Sequence, residues 1–137
     1  MEYLLDTNIC IYIIKKKPVS VFERFKNTMA GSICVSSLTV AELQYGIMKS
    51  SDPEKNQKAL DKFLTPLEIL DFDSKATIEY GKIRTELEKK GMPIGPLDTL
   101  IASQALSSNL TLVTNNEKEF GRIAGLKMEN WTKLKNQ

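Results

Sequence analysis

Histidine is absent from this chain of 137 residues. That removes imidazole from every mechanism open to it: no Ser-His or Cys-His nucleophilic pair can be assembled, and no histidine general base. Cysteine is nearly absent as well. Cys10 and Cys34 are the only two; without histidine they cannot complete a four-ligand zinc site. Their apolar neighbours mark them as buried free thiols of a reducing compartment. No apolar run approaches the roughly 20 residues that a membrane span needs. The start, Met1-Glu2-Tyr3-Leu4-Leu5-Asp6, has no basic segment and meets an acid early, unlike a secretion signal. A cytoplasmic protein with no membrane partner is therefore expected. An excess of one charge is also lacking, since 19 Lys and Arg against 17 Asp and Glu leave +2, a weak lean toward a polyanionic partner. The basic residues cluster at Lys15-Lys16-Lys17, at Lys89-Lys90 and in the tail at Lys127, Lys133 and Lys135. Each cluster reads equally well as a solvated helix end.

What is present fits one ordinary domain over residues 1–137, its last few residues a flexible tail. Residues 2–5 read as a short strand, followed by a helix over 7–16 that Pro18 ends. A second helix over 19–28 carries Val19, Val21, Phe22 and Phe25 on its apolar side. Gly31 precedes a buried strand at 32–35. Ser36 or Ser37 can cap a helix that runs to Met48, and residues 53–64 return as the other arm of a helical hairpin. A strand at 67–70 leads to a long amphipathic helix over 74–90, with Ile78, Ile83 and Leu87 among its apolar positions, ended by Gly91. Helix 97–108, strand 110–113, helix 117–123 and a last strand at 126–128 complete the chain. Strands alternating with helices predict an α/β fold, a mostly parallel sheet of four to five strands flanked by helices. In such sheets, sites form where the carboxyl ends of strands meet helix starts. Asp6, Ser36 and Thr114 all fall at ends of that kind.

Several acids lie near these junctions. Asp6 follows Leu4-Leu5 and can serve as a helix N-cap, although Thr7 and Asn8 offer the same service. Glu42, in Ser37-Leu38-Thr39-Val40-Ala41-Glu42-Leu43, is flanked mainly by apolar residues; it can complement a helix dipole or point along the edge of the core. Asp98 is the clearest case. Pro96 suits the first helical position, which puts Asp98 near the third, and the following Leu100-Ile101-Ala102 marks a largely buried helix whose start faces a cleft. Glu117 reads as a solvated first-turn acid, while Glu119 directly precedes the apolar anchor Phe120. Two unit charges about 4 Å apart repel by roughly 4 kcal/mol at an effective dielectric of 20. Acids converging at one sheet edge would raise one another's pKa, and a hard divalent cation such as Mg2+ or Mn2+, bound through oxygen ligands, would relieve that repulsion. Such a site could hydrolyse a phosphodiester without a histidine base. A phosphatase or DNA nuclease built on the same edge, and a binding module without chemistry, remain open on these grounds.

Four stretches in chain order resemble the PIN-domain ribonucleases, and more narrowly the VapC toxins of type II VapBC toxin–antitoxin pairs. They are Leu5-Asp6-Thr7-Asn8, the run from Ser36 to Gly46, Ile94-Gly95-Pro96-Leu97-Asp98-Thr99-Leu100-Ile101-Ala102, and Val113-Thr114-Asn115-Asn116 with Glu119-Phe120. The resemblance implies a PIN-like three-layer sandwich and an endoribonuclease dependent on Mg2+ or Mn2+. It makes Asp6 and Asp98 the principal metal ligands and Glu42 a further ligand that helps activate water. Asn8 and Thr114 are then supporting residues beside the site. Many PIN domains carry aspartate where this chain has Asn116; Glu119 is the expected replacement, with Asn116 its hydrogen-bonding partner. The resemblance further implies a homodimer held inactive by a small VapB antitoxin, with operator DNA bound only through that antitoxin. The hairpin over 43–64 would then contribute to groove and dimer surface, with Tyr45 and Met48 as contacts. The substrate is structured RNA, and the pattern from Pro93 to Asp98 looks most like the subgroup that cuts initiator tRNA.

Overall fold

A computed structural model describes residues 1–133; the tail expected beyond them, with Lys135, lies outside the described residues. The strands are β1 (Tyr3–Leu5), β2 (Ile33–Ser36), β3 (Glu68–Leu70), β4 (Thr111–Val113) and β5 (Met128–Glu129). All pair in parallel, in the order β3-β2-β1-β4-β5. The helices are α1 (Thr7–Lys15), α2 (Val19–Lys26), α3 (Ser37–Met48), α4 (Pro53–Leu64), α5 (Ser74–Lys89), α6 (Pro96–Ser107) and α7 (Glu117–Phe120). The α/β class, the parallel five-stranded sheet and the flanking helices are those expected.

Alternation along the strands builds the layers, because successive side chains leave a strand on opposite faces. Leu5, Ile33, Val35 and Val113 pack with Ile9, Ile13, Val21, Leu43, Leu60 and Phe63 from α1–α4. Leu4, Cys34 and Leu112 pack on the other face with Ile83 and Leu87 of α5 and Ile101, Ala102 and Ala105 of α6. Both cysteines are buried and free. No helix among the described residues is long and apolar enough to cross a membrane.

Some boundaries differ from those read in the sequence. Helix α7 stops at Phe120 rather than 123: the Arg122 and Ile123 N–H groups donate three residues back, to the Glu119 and Phe120 carbonyls, both at 3.1 Å, in place of the four-residue helical bond. The last strand starts two residues later than expected and ends one later, because Leu112 and Thr114 donate to the Lys127 and Glu129 carbonyls. Ile78 is exposed rather than core-facing: Ala76, Ile83 and Leu87 define the buried face of α5, and Ile78 falls about 200° around the helix from Ala76. Val19, at the first position of α2, is also exposed.

Candidate active site

Strand register assembles the site. Leu5 is paired with Val35 of β2 and with Val113 of β4, so the next residues along each chain, Ser36, Asp6 and Thr114, stand side by side at the carboxyl edge. Sequence order reverses between β1 and β4, since β2 and β3 lie on one side of β1 and β4 and β5 on the other. That reversal opens a crevice above the carboxyl ends of the strands, where ligands of open parallel sheets bind. Helix α1 begins in it, α3 begins beside it, and the short α7 follows β4.

Asp6 does cap α1: one carboxylate oxygen accepts from the Ile9 N–H at 2.9 Å. Capping does not exhaust it. The residue is 6% exposed, and burial lifts its pKa from 3.8 to about 6, aided by the negative Asp98 and held back by the Thr114 hydroxyl and the Ile9 and Asn8 N–H groups. Asn8 itself is exposed and takes part through its backbone. Asp98 is the third residue of α6, after the Gly95 cap and Pro96. Its carboxyl is also raised, first by burial and then by Glu119. Asn116 connects the last pieces: its N–H donates to the Thr114 hydroxyl at 2.9 Å, and its side-chain amide donates to a Glu119 carboxylate oxygen at 3.2 Å.

Asp6 thus senses Asp98, Asp98 senses Glu119, and Thr114 and Asn116 lock the geometry between them. The acids meet as successive pairs; among the described residues, no three acidic or thiol side chains close into one ligand cage. Glu42 is exposed on α3 and makes no hydrogen bond or ion pair with a described residue. It stands nearly one turn beyond the buried Thr39, on the same side of the helix. Glu117 turns away to Lys133 at 2.7 Å, and that partner lowers its pKa.

Two hydroxyl contacts were missed in the sequence. The Thr7 hydroxyl donates to the Thr39 hydroxyl at 3.3 Å, joining the first turns of α1 and α3. Asn115 donates to the Tyr12 hydroxyl at 2.9 Å, tying the loop after β4 to α1. The available signal was spacing, since Thr39 precedes the buried Leu43 by four residues and so shares its inward face.

The donor set suits a hard cation. Two carboxyls, both with raised pKa and with Asp98 adding to the rise at Asp6, leave room for water and phosphate oxygens, as Mg2+ prefers over an all-protein cage.

The chain matches the family model of the PIN domain over residues 3–126. It is 54% identical over 134 residues to Ribonuclease VapC2 of Rickettsia felis, covering 97% of this chain and 100% of the relative. It is 47% identical over 132 residues to the tRNA(fMet)-specific endonuclease VapC of Shigella flexneri, covering 96% of this chain and 99% of the relative. Among solved structures, the DNA-bound VapBC of Salmonella typhimurium superposes with a TM-score of 0.90 at 46% identity, over 96% of this chain and 98% of that one.

Proposed function

Because the chain belongs to the PIN-domain family, and within it to the VapC ribonucleases, we propose that it is a Mg2+- or Mn2+-dependent endoribonuclease acting as the toxin of a VapBC-type pair. The observation that carries the reading is the buried Asp6 carboxyl at the switch point of the sheet, its pKa raised by burial and further by the negative Asp98, while Asp98 is itself raised by burial and by Glu119. Asp6 and Asp98 are the ligands. When bound, a divalent cation offsets charge on the phosphodiester and makes water more acidic. Thr114 orients Asp6 through its hydroxyl. Asn116 holds Glu119 by its amide, so that Glu119 presents a fixed carboxylate to a water or leaving oxygen beside Asp98. Glu42 closes the α3 side of the crevice as a further ligand or proton acceptor.

The substrate proposed is structured RNA, with initiator tRNA first; the 47% identity to the tRNA(fMet)-specific enzyme of Shigella flexneri supports that choice. A VapB-type antitoxin is the proposed partner, supported by the VapBC complex of Salmonella typhimurium, which is DNA-bound; operator DNA would reach this chain only through the antitoxin. A homodimer is the proposed assembly, with the exposed Tyr45 and Met48 of α3 on its surface. Incubating the purified chain with initiator tRNA, elongator tRNAs and DNA of matched sequence, each with Mg2+, Mn2+ or EDTA, tests the reading. RNA cut only with metal supports it; cleavage that persists in EDTA, or of DNA alone, overturns it.

A further inference from the structure

A cavity of about 230 Å³ lies between the second half of α5 and the loop that leads into α6, lined by Tyr80, Arg84, Glu88, Pro93, Ile94 and Pro96, among others. Pro96 begins the helix whose third residue is Asp98, and Thr99 also lines the cavity, so the cavity reaches the first turn of that helix, with Asp98 about 100° around the helix from Thr99. Its volume falls below that of a pocket for a drug-sized ligand and suits a single flat ring.

The guanidinium of Arg84 forms one wall, and it is held in place. Its Nε donates to Glu88 at 3.2 Å and one terminal nitrogen donates to the Tyr80 hydroxyl at 3.0 Å. Partners one turn up and one turn down the helix thus fix the plane of a group that is otherwise exposed. A guanidinium fixed in this way is a stacking surface for a nucleobase. The opposing wall is apolar, from Pro93, Ile94 and Pro96, and it is pinned too: Arg122 donates to the Pro93 carbonyl at 3.1 Å. A planar cation and apolar side chains lining one cavity of this size suit one base rather than a phosphate, since Glu88 already pairs with the arginine.

We propose that this cavity seats one nucleobase of the RNA next to the phosphodiester held at Asp6 and Asp98, stacked on Arg84. The inference rests on the ribonuclease reading for its ligand class, but binding can be measured without cleavage. The full chain in EDTA is titrated against a set of fluorescent single-stranded RNA oligonucleotides, each with one abasic position along the loop sequence cut by the enzyme or, failing cleavage, along the initiator anticodon loop. The same titrations use Arg84→Ala, Arg84→Lys and Tyr80→Phe. One abasic position should weaken wild-type binding about tenfold, the weight of one base stacked on a protein side chain. Arg84→Ala should bind the intact RNA about tenfold more weakly and lose that position's effect. Arg84→Lys should behave like the alanine variant, because it keeps charge but not the plane, and Tyr80→Phe should fall between. If every abasic position affects wild type and Arg84→Ala alike, the base site is overturned, whether or not the protein cuts RNA. If the abasic pattern appears but no RNA is cut with Mg2+ or Mn2+, the base site stands and the ribonuclease reading fails.

Discussion

Replacing Asp6 by asparagine should make the metal-free protein more stable at neutral pH while abolishing its activity. Folding buries the Asp6 carboxyl and raises its pKa from 3.8 to about 6. A carboxyl whose folded pKa exceeds its unfolded value binds its proton more tightly when folded, so its contribution favours folding at low pH and is lost as pH rises. Here the loss runs from about pH 4 and is complete above about pH 6. At about 1.4 kcal/mol per tenfold change in proton affinity, the ionised Asp6 lowers stability by about 3 kcal/mol at pH 7 relative to an uncharged side chain. Asparagine caps helices as well as aspartate does, so the bond to the Ile9 N–H survives and about 2–3 kcal/mol of the gain should remain. Trp131 is the only tryptophan and is 1% exposed, which makes its fluorescence a direct reporter of urea unfolding. With a slope of about 2 kcal/mol per molar urea, Asp6→Asn should raise the midpoint by about 1 M at pH 7. The gain should vanish near pH 4. A variant no more stable than wild type at pH 7, or one whose gain is equal at pH 4 and pH 7, would refute the electrostatic argument.

Trp131 fills the core beyond the end of the family match, with Tyr3 against its edge at 5.5 Å and Glu129 accepting from its ring N–H at 3.1 Å; Trp131→Ala should cost about 3–5 kcal/mol, read by circular dichroism in urea. Glu119→Gln removes the charge that helps raise the Asp98 pKa, so the acid limb of the pH–rate profile should move to lower pH as the rate falls; an unmoved limb would detach Glu119 from the site. Glu42 is exposed, so Glu42→Gln should leave stability within about 0.5 kcal/mol yet reduce RNA cleavage tenfold or more; unchanged cleavage would remove Glu42 from the proposed machinery.

The sheet, its parallel sense and the strand ends that hold Asp6, Ser36 and Thr114 were legible because each strand is a short apolar run bounded by a helix start. Asp98 was legible for a similar reason, since Pro96 marks the first helical position two residues before it. Glu119 was legible in part, since it directly precedes the buried Phe120 while Glu117 opens the first turn, and the tertiary bond from Lys133 does draw Glu117 outward; the bond from Asn116 to Glu119 was expected only from the family resemblance. Ile78 is apolar but not buried, because Ala76, Ile83 and Leu87 already fill the stripe that α5 turns to the core. The Thr7–Thr39 bridge joins residues 32 apart, and a contact of that range is set by packing, not by local pattern.

Calorimetric titration of Mn2+ into wild type, Asp6→Asn and Asp98→Asn at pH 7 tests most directly whether these two carboxylates share one cation. Binding by wild type, with affinity reduced at least tenfold in each variant and a combined loss smaller than the product of the two, is the predicted result. Equal affinity in all the proteins, or no binding by any of them, would contradict it.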